Sequence, residues 1–246
     1  MPPTPSPVDL LVFGPHPDDL EIGMGATIAR HASLGAAVGL CDLTRGEMGT
    51  NGAPEERLAE ADEASAVLGA RWRVNLALPD RRLREVPEQV DPIVELIRAT
   101  RPAAIALPYW ADRHPDHGAA SALVQAAAFT AGLRRHATGR DAWRAEWLVY
   151  YFINNAADPS FVVDVSAHYE VKQRALDCHR SQFAPAAGDA AETRLTSPLF
   201  RQLIESRDAQ FGALAGVRWA EGFVVRDPIV REGVTKGTAG PGASSR

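Results

Sequence analysis

Apolar runs of five to seven residues alternate with helical patterns through the first half of the chain, and that alternation restricts the fold more than any other feature. Val8 to Phe13, Val38 to Leu43, Trp72 to Leu78 and Ala103 to Leu107 are apolar on both faces, the pattern of strands buried on both sides rather than half exposed. Between them lie Leu20 to Leu34, Pro54 to Leu68 with Gly69 as a stop, and Glu88 to Thr100, where Val90, Ile93, Val94 and Ile97 fall on one helical face. A βαβαβαβ order of this kind predicts a parallel sheet with helices on both sides. The fold class expected is α/β: a Rossmann-like, doubly wound, mostly parallel sheet flanked by helices in a single domain. A helix starting at Pro115 and running to about Leu133 follows, then strands at Trp147 to Ile153 and Phe161 to Val165, and helices at Tyr169 to His179 and Leu199 to Ala215. Residues 1–7 and 233–246 are small, Pro-rich or polar and are expected to be disordered, which leaves residues 8–232 as the domain.

Composition narrows the function. The chain has 246 residues, 46% apolar and 23% charged, with a net charge of −5 and no concentration of Lys or Arg that would bind nucleic acid. The two cysteines, Cys41 and Cys178, match no disulfide or zinc-ribbon spacing, and Cys41 in "AVGLCDL" reads as a small buried residue. No apolar segment approaches a membrane span and the start does not read as a signal peptide, so the expectation is a cytoplasmic protein with a small-molecule partner, no nucleic acid and no membrane.

Two short stretches carry the chemistry. "GPHPDDLE" follows the first strand and supplies His16, Asp18 and Asp19; "DRHPDHG" follows the fourth and supplies Arg113, His114, Asp116 and His117. With the strand order 3-2-1-4 of Rossmann-like folds, strands 1 and 4 are neighbours at the point where the order reverses, and ligands sit there, outside the carboxyl ends of the strands. The two loops should therefore form one site. His16, Asp19 and His117 give two imidazoles and a carboxylate, the ligand set of many catalytic zinc centres. Asp18 is then free to serve as general base, and His114 could stand opposite as general acid with Asp116 orienting it. The alternative is that Asp18 or Asp19 only caps the helix that follows, but two such loops after neighbouring strands favour a site.

At these residues the sequence resembles the LmbE-like (PIG-L) family of zinc-dependent N-acetylglucosamine deacetylases, through "PHPDDLE" and "HPDH" with "TRGEMGTNG" and "EERLAEADEASAVLG" in support, over about residues 8 to 225. The resemblance implies zinc on His16, Asp19 and His117, Asp18 as base, and His114 protonating the leaving amine or stabilising the tetrahedral intermediate. Within the family, "DRHPDHG", "TRGEMGT" and "HRSQF" look most like the bacillithiol-biosynthesis branch, which implies N-acetylglucosaminyl-malate as substrate; the family also implies a homo-oligomer such as a hexamer. An N/N/O site also accepts Fe²⁺, Co²⁺ or Mn²⁺ in place of Zn²⁺. An anionic malate calls for basic partners, and Arg45, Arg57 and Arg113 are the candidates, against ion pairs with acids such as Glu47 or Glu60; Glu47 could bind sugar hydroxyls. Where some relatives carry a tyrosine two residues before HPDH, this chain has Asp112, so the oxyanion role passes to Tyr109 or to His114 alone. Lys172, Gln182 and Phe183 resemble late family positions, but helix surface and packing account for them equally well. His31, His136, His168 and His179 read as surface or packed residues.

Three rivals differ in class or substrate. A nucleotide-binding module is suggested by "GMGATI" at Gly23 to Ile28 and by Asp42 at the end of strand 2, but the glycines lie inside the helix pattern and Asp18 and Asp19 occupy the turn where a pyrophosphate would sit. The same site could instead serve a mycothiol-conjugate amidase or a chitooligosaccharide deacetylase. A metal-binding protein without catalysis would leave Asp18 and His114 without a purpose.

Overall fold

The computed structural model describes residues 5–185 and 191–230. A seven-stranded sheet has the order β3-β2-β1-β4-β5-β7-β6, with β1 Leu10–Gly14, β2 Val38–Thr44, β3 Trp72–Leu78, β4 Ala104–Pro108, β5 Trp147–Tyr151, β6 Phe161–Asp164 and β7 Ala220–Val224. Strands β1 to β5 are parallel, and β7 pairs antiparallel with both β5 and β6. The expected 3-2-1-4 order is therefore present, but β3, expected to be buried on both faces, is an edge strand and mostly half-buried, with Arg73 and Asn75 alternating in its sequence; beyond β4 the sheet continues through β5, an unexpected antiparallel β7 and β6. Ala220–Val224 is five residues long with Glu221 at its second position, and neither length nor alternation sets it apart from a loop.

Alternation along the buried strands divides the core in two. Leu11 and Phe13 of β1 pack with Cys41 and Leu43 on one face, under α3 (Pro87–Thr100) and α4 (Pro115–Ala131), while Leu10 and Val12 pack with Leu40 on the other, under α1 (Asp19–Ser33), α2 (Pro54–Leu68) and α5 (Tyr169–Cys178). Neither face of β1 meets solvent, which is why its sequence is continuously apolar. Cys41 is fully buried, as expected of a small core residue. A short helix α6 (Arg180–Phe183) and α7 (Pro198–Ala215), N-capped by the Ser197 hydroxyl accepting from the Leu199 N–H, complete the order. No helix among the described residues is long and apolar enough to cross a membrane. Of the ends expected to be disordered, residues 1–4 and all of 233–246 lie outside the described residues, while the Ser6 and Pro7 carbonyls accept hydrogen bonds from Trp72 and Arg71.

Helix α1, which begins at Asp19, bends at Met24, where φ is −149° and ψ is 28°. The Ala26 and Thr27 N–H groups donate to Glu221 at 3.2 and 2.7 Å, and the Ile22 carbonyl accepts from Arg207 at 2.8 Å. Partners from the late chain thus satisfy backbone groups at the bend. Both belong to a fully buried ion cluster in which Lys172 Nζ donates to Asp208 and Glu221 at 2.7 Å each, and Arg207 Nε to Asp208 at 2.9 Å. Lys172 is therefore a buried counter-ion, not a helix-surface residue. The "GMG" glycines have a packing reason as well: a Cβ on Gly23 would lie 2.2 Å from the Tyr151 ring. Asp42, the acid of the nucleotide-binding rival, is bound at both oxygens by Arg73 at 2.8 Å.

Replacing Lys172 with Met leaves Asp208 and Glu221 buried without their shared cation, an arrangement that typically costs about 3–5 kcal/mol. Urea unfolding of Lys172→Met should show a loss of that order, partly recovered in Lys172→Met/Glu221→Gln; a loss below about 1 kcal/mol would show that the cluster is not charge-balanced through Lys172.

Candidate active site

The β1 and β4 loops meet at the carboxyl ends of their strands, in a cavity of about 450 Å³. His16, Asp18, Asp19, His114 and His117 line it, joined by Asp80 and Arg81 from the loop after β3 and by Asn154 from the loop after β5. Asp19 stands between the two histidines of the expected ligand set, one oxygen 2.9 Å from His16 Nδ1 and the other 3.4 Å from His117 Nε2. The far ring nitrogens of both histidines face carboxylates: His16 Nε2 lies 3.2 Å from Asp80 and 3.4 Å from Asp116, and His117 Nδ1 lies 3.0 Å from Asp112. His16, His114 and His117 each offer a ring nitrogen within 4.8 Å of the others, and His16, Asp80 and Asp116 form a second such group.

This donor set fits a divalent cation. Imidazole nitrogens and carboxylate oxygens are the ligands such ions take, and a carboxylate behind an imidazole is the usual support of a metal-binding histidine. The charge balance agrees. Burial works against a charged imidazole at His117, yet Asp19 and Asp112 raise its pKa to about 9; at His16, burial is likewise overcome by Asp116, Asp19 and Asp80, which hold it well above the usual value. The surrounding carboxylates thus favour the protonated form of both rings, and a cation would compete with those protons.

Asp18 occupies the N-cap position of α1, but its side chain makes no capping bond. It faces the Arg57 guanidinium at 3.3 Å instead, and burial raises its pKa against the opposing pull of Arg57. His114 is itself the N-cap of α4, with Nδ1 accepting from the Asp116 N–H at 3.3 Å. That bond assigns the neutral ring proton to Nε2. Burial, together with the charges of His16 and His117, lowers the His114 pKa.

Several expected roles change. Asp116 does not orient His114 with its carboxylate: it lies at the second position beyond the N-cap, so only its backbone N–H reaches the ring, while its oxygens accept from Arg81 N and Nη1 at 2.9 and 3.1 Å. Arg57 lines the cavity but is buried and tied to Asp18 and to the Gly46 carbonyl, and neither Glu47 nor Glu60 is its partner. Arg45 is exposed and does not line the cavity, and Glu47 accepts from the Asp80 N–H at 2.8 Å. Arg113 does line the cavity and makes no ion pair among the described residues. Tyr109 packs against Trp110 and Phe152, away from the cavity lining. Of the late residues, Gln182 lines the cavity and Phe183 stacks on Phe200. His179 is fully buried, 3.4 Å from Glu21.

Asp80, Arg81 and Asn154 were not singled out in the sequence, because "LPDRRL" and "FINNA" have no distinctive spacing. A positive φ of 63° at Arg81, uncommon outside glycine, marks that loop only in three dimensions.

A family model, PIG-L (GlcNAc-PI de-N-acetylase), matches residues 11–128. Diacetylchitobiose deacetylase of Thermococcus kodakarensis is 31% identical over 229 residues, 87% of this chain and 81% of that protein. The chain belongs to the PIG-L family. It is an amide hydrolase of the N-deacetylase class. The structure of a conserved protein, TT1542, from Thermus thermophilus superposes with a TM-score of 0.83 at 41% identity, covering 91% of this chain and 96% of that one. N,N'-diacetylchitobiose deacetylase from Pyrococcus horikoshii shares the fold, with a TM-score of 0.77 at 24% identity over 88% of this chain and 82% of that one.

Because the neighbouring carboxylates favour protonated rings at His16 and His117, titrating Zn²⁺ into chelator-treated protein at pH 7.5 should release protons, about one to two per ion bound. Calorimetry in buffers of different ionisation enthalpy reads this number directly, and zero release would show that the imidazoles are not the ligands.

Proposed function

We propose that the protein is a zinc-dependent hydrolase that removes acetyl from an N-acetylglucosaminide, with N-acetylglucosaminyl-malate as the substrate. The observation that carries the reaction is the meeting of the two motif loops: a buried His16–Asp19–His117 group with Asp18 and His114 beside it in one cavity. Zinc held by His16, Asp19 and His117 would supply Lewis-acid chemistry, polarising the acetamide carbonyl and acidifying a water.

The chain's own residues do the rest. Asp18, buried and with a raised pKa, accepts the proton of the attacking water, and Arg57 keeps the carboxylate aimed. His114 is held by the Asp116 N–H with the ring proton on Nε2, which donates a hydrogen bond to the developing oxyanion, and the proton that Asp18 has taken from water passes to the leaving amine. Asp116 acts on the other histidine: with Arg81 holding it, its carboxylate lies against His16 Nε2. The products are acetate and a free amino sugar.

Arg113, on the cavity lining beside His114 and without an ion-pair partner among the described residues, supports an anionic aglycone. Diacetylchitobiose is the second reading, favoured by the 31% identity to the Thermococcus deacetylase over most of both chains.

Free-amine release from N-acetylglucosaminyl-malate, N-acetylglucosamine and diacetylchitobiose, with zinc and with chelator, tests the reaction and the aglycone together. Metal-dependent release favouring the malate glycoside is the expected outcome; preference for the chitobiose would overturn the malate assignment, and release untouched by chelation would overturn the metal. Asp18→Asn should bind zinc stoichiometrically while kcat falls about 10²–10⁴-fold. Arg113→Ala should raise KM for the malate glycoside about 10–100-fold with little change for N-acetylglucosamine, the loss expected for one charged hydrogen-bonding partner. An equal effect on both substrates would remove Arg113 from carboxylate binding.

A further inference from the structure

Asp112 is the most heavily engaged carboxylate at the site, and the mechanism above does not use it. Its Oδ1 accepts from the His114 N–H at 2.8 Å and from Asn154 Nδ2 at 3.0 Å, and lies 3.0 Å from His117 Nδ1. Its Oδ2 accepts from the Asn154 and Asn155 N–H groups at 2.8 and 3.1 Å. Five donors converge on one carboxylate whose side chain is 2% exposed. Four of them hold it in place, and the fifth is the ring of a candidate metal ligand.

We infer that Asp112 is a positioning residue: its carboxylate, 3.0 Å from His117 Nδ1, favours the proton on that nitrogen and leaves Nε2 turned toward Asp19, and Asn154, whose Nδ2 lies 3.4 Å from the same ring nitrogen, locks Asp112 in turn. A side chain so placed does not reach a substrate oxyanion, so Asp112 does not substitute for a tyrosine there. Its influence passes through His117. The carboxylate beside Nδ1 leaves the Nε2 lone pair for a cation and puts negative charge behind the imidazole, which raises its basicity as a ligand. Asn154 stands in the loop after β5, so the ring's orientation is set across two neighbouring strand ends, β4 and β5.

The inference rests on the metal-centre reading, and a metal-affinity measurement separates the two. Full-length wild type, Asp112→Ala, Asp112→Asn and Asn154→Ala would be titrated with Zn²⁺ against a competing chelator, and with Co²⁺ while its visible spectrum is recorded. Asp112→Ala should lose about 10–100-fold in zinc affinity and show an altered cobalt spectrum. Asp112→Asn, which can still accept from His117 but lacks the charge, should lose less, and Asn154→Ala less than Asp112→Ala. Adding Asn154→Ala to Asp112→Ala should cost little more, since both act on one ring. Wild-type affinity and an unchanged cobalt spectrum in Asp112→Ala would overturn the positioning role. If that variant does not fold, unchanged affinity in Asp112→Asn overturns it equally. No uptake by wild type would overturn the metal centre itself, and this inference with it.

Discussion

Five carboxylates, those of Asp18, Asp19, Asp80, Asp112 and Asp116, are gathered around three imidazoles at the carboxyl ends of a parallel sheet, and the surrounding loops are shaped by the need to stabilise them. A buried carboxylate without partners is costly, so backbone N–H groups are turned toward these oxygens: His16 N to Asp19, Met48 N to Asp80, Arg81 N to Asp116, and Asn154 N and Asn155 N to Asp112. Each of those bonds fixes the path of a loop. The left-handed backbone at Arg81 belongs to the same set, since its N–H and guanidinium both close on Asp116.

Beneath the site lie two further buried ion networks that make its floor rigid. In one, Arg73 bridges Glu21 of α1 and Asp42 of β2 at 2.6 and 2.8 Å; burial would raise the Glu21 pKa, but Arg73 and His179 hold it down to about 2. In the other, Lys172, Arg207, Asp208 and Glu221 join α5, α7 and β7 and also hold the bent turn of α1. Helix α1 begins at Asp19, so the position of the candidate ligand and base depends on residues more than 150 positions away in the chain. Folding the late segment and forming the site are in this sense one event.

The division of labour within the site follows from chain geometry. Two carboxylates adjacent in sequence end up in opposite roles because α1 starts between them: Asp19 turns to the histidines and Asp18 to Arg57. At the second motif, His114 caps α4 and His117 stands one turn on, so the two rings stack 4.7 Å apart and His117 alone faces Asp19 and Asp112. Arg57 ties Asp18 to the glycine-containing loop after β2, which makes that loop part of the wall of the cavity.

Much of this was legible in the sequence. Short apolar runs between helical patterns pointed to the parallel strands, the 3-2-1-4 order came from Rossmann-like folds, and the paired His/Asp motifs supplied the residues that meet there, because that order brings the two loop ends together. What sequence could not give were the partners contributed by unremarkable segments: Asp80 and Arg81 after β3, Asn154 after β5, and the strand β7. Those residues have no local signature, and their importance comes only from which loops the sheet sets side by side. Three expected roles shifted for the same reason. Arg57 pairs with Asp18, Glu47 with the Asp80 backbone, and Asp116 with His16 and Arg81. Residue type and spacing determined that this chain would build a histidine–carboxylate centre on a doubly wound sheet; only the tertiary structure decided which carboxylate faces which imidazole, because that is fixed by distances across strands and not along the chain.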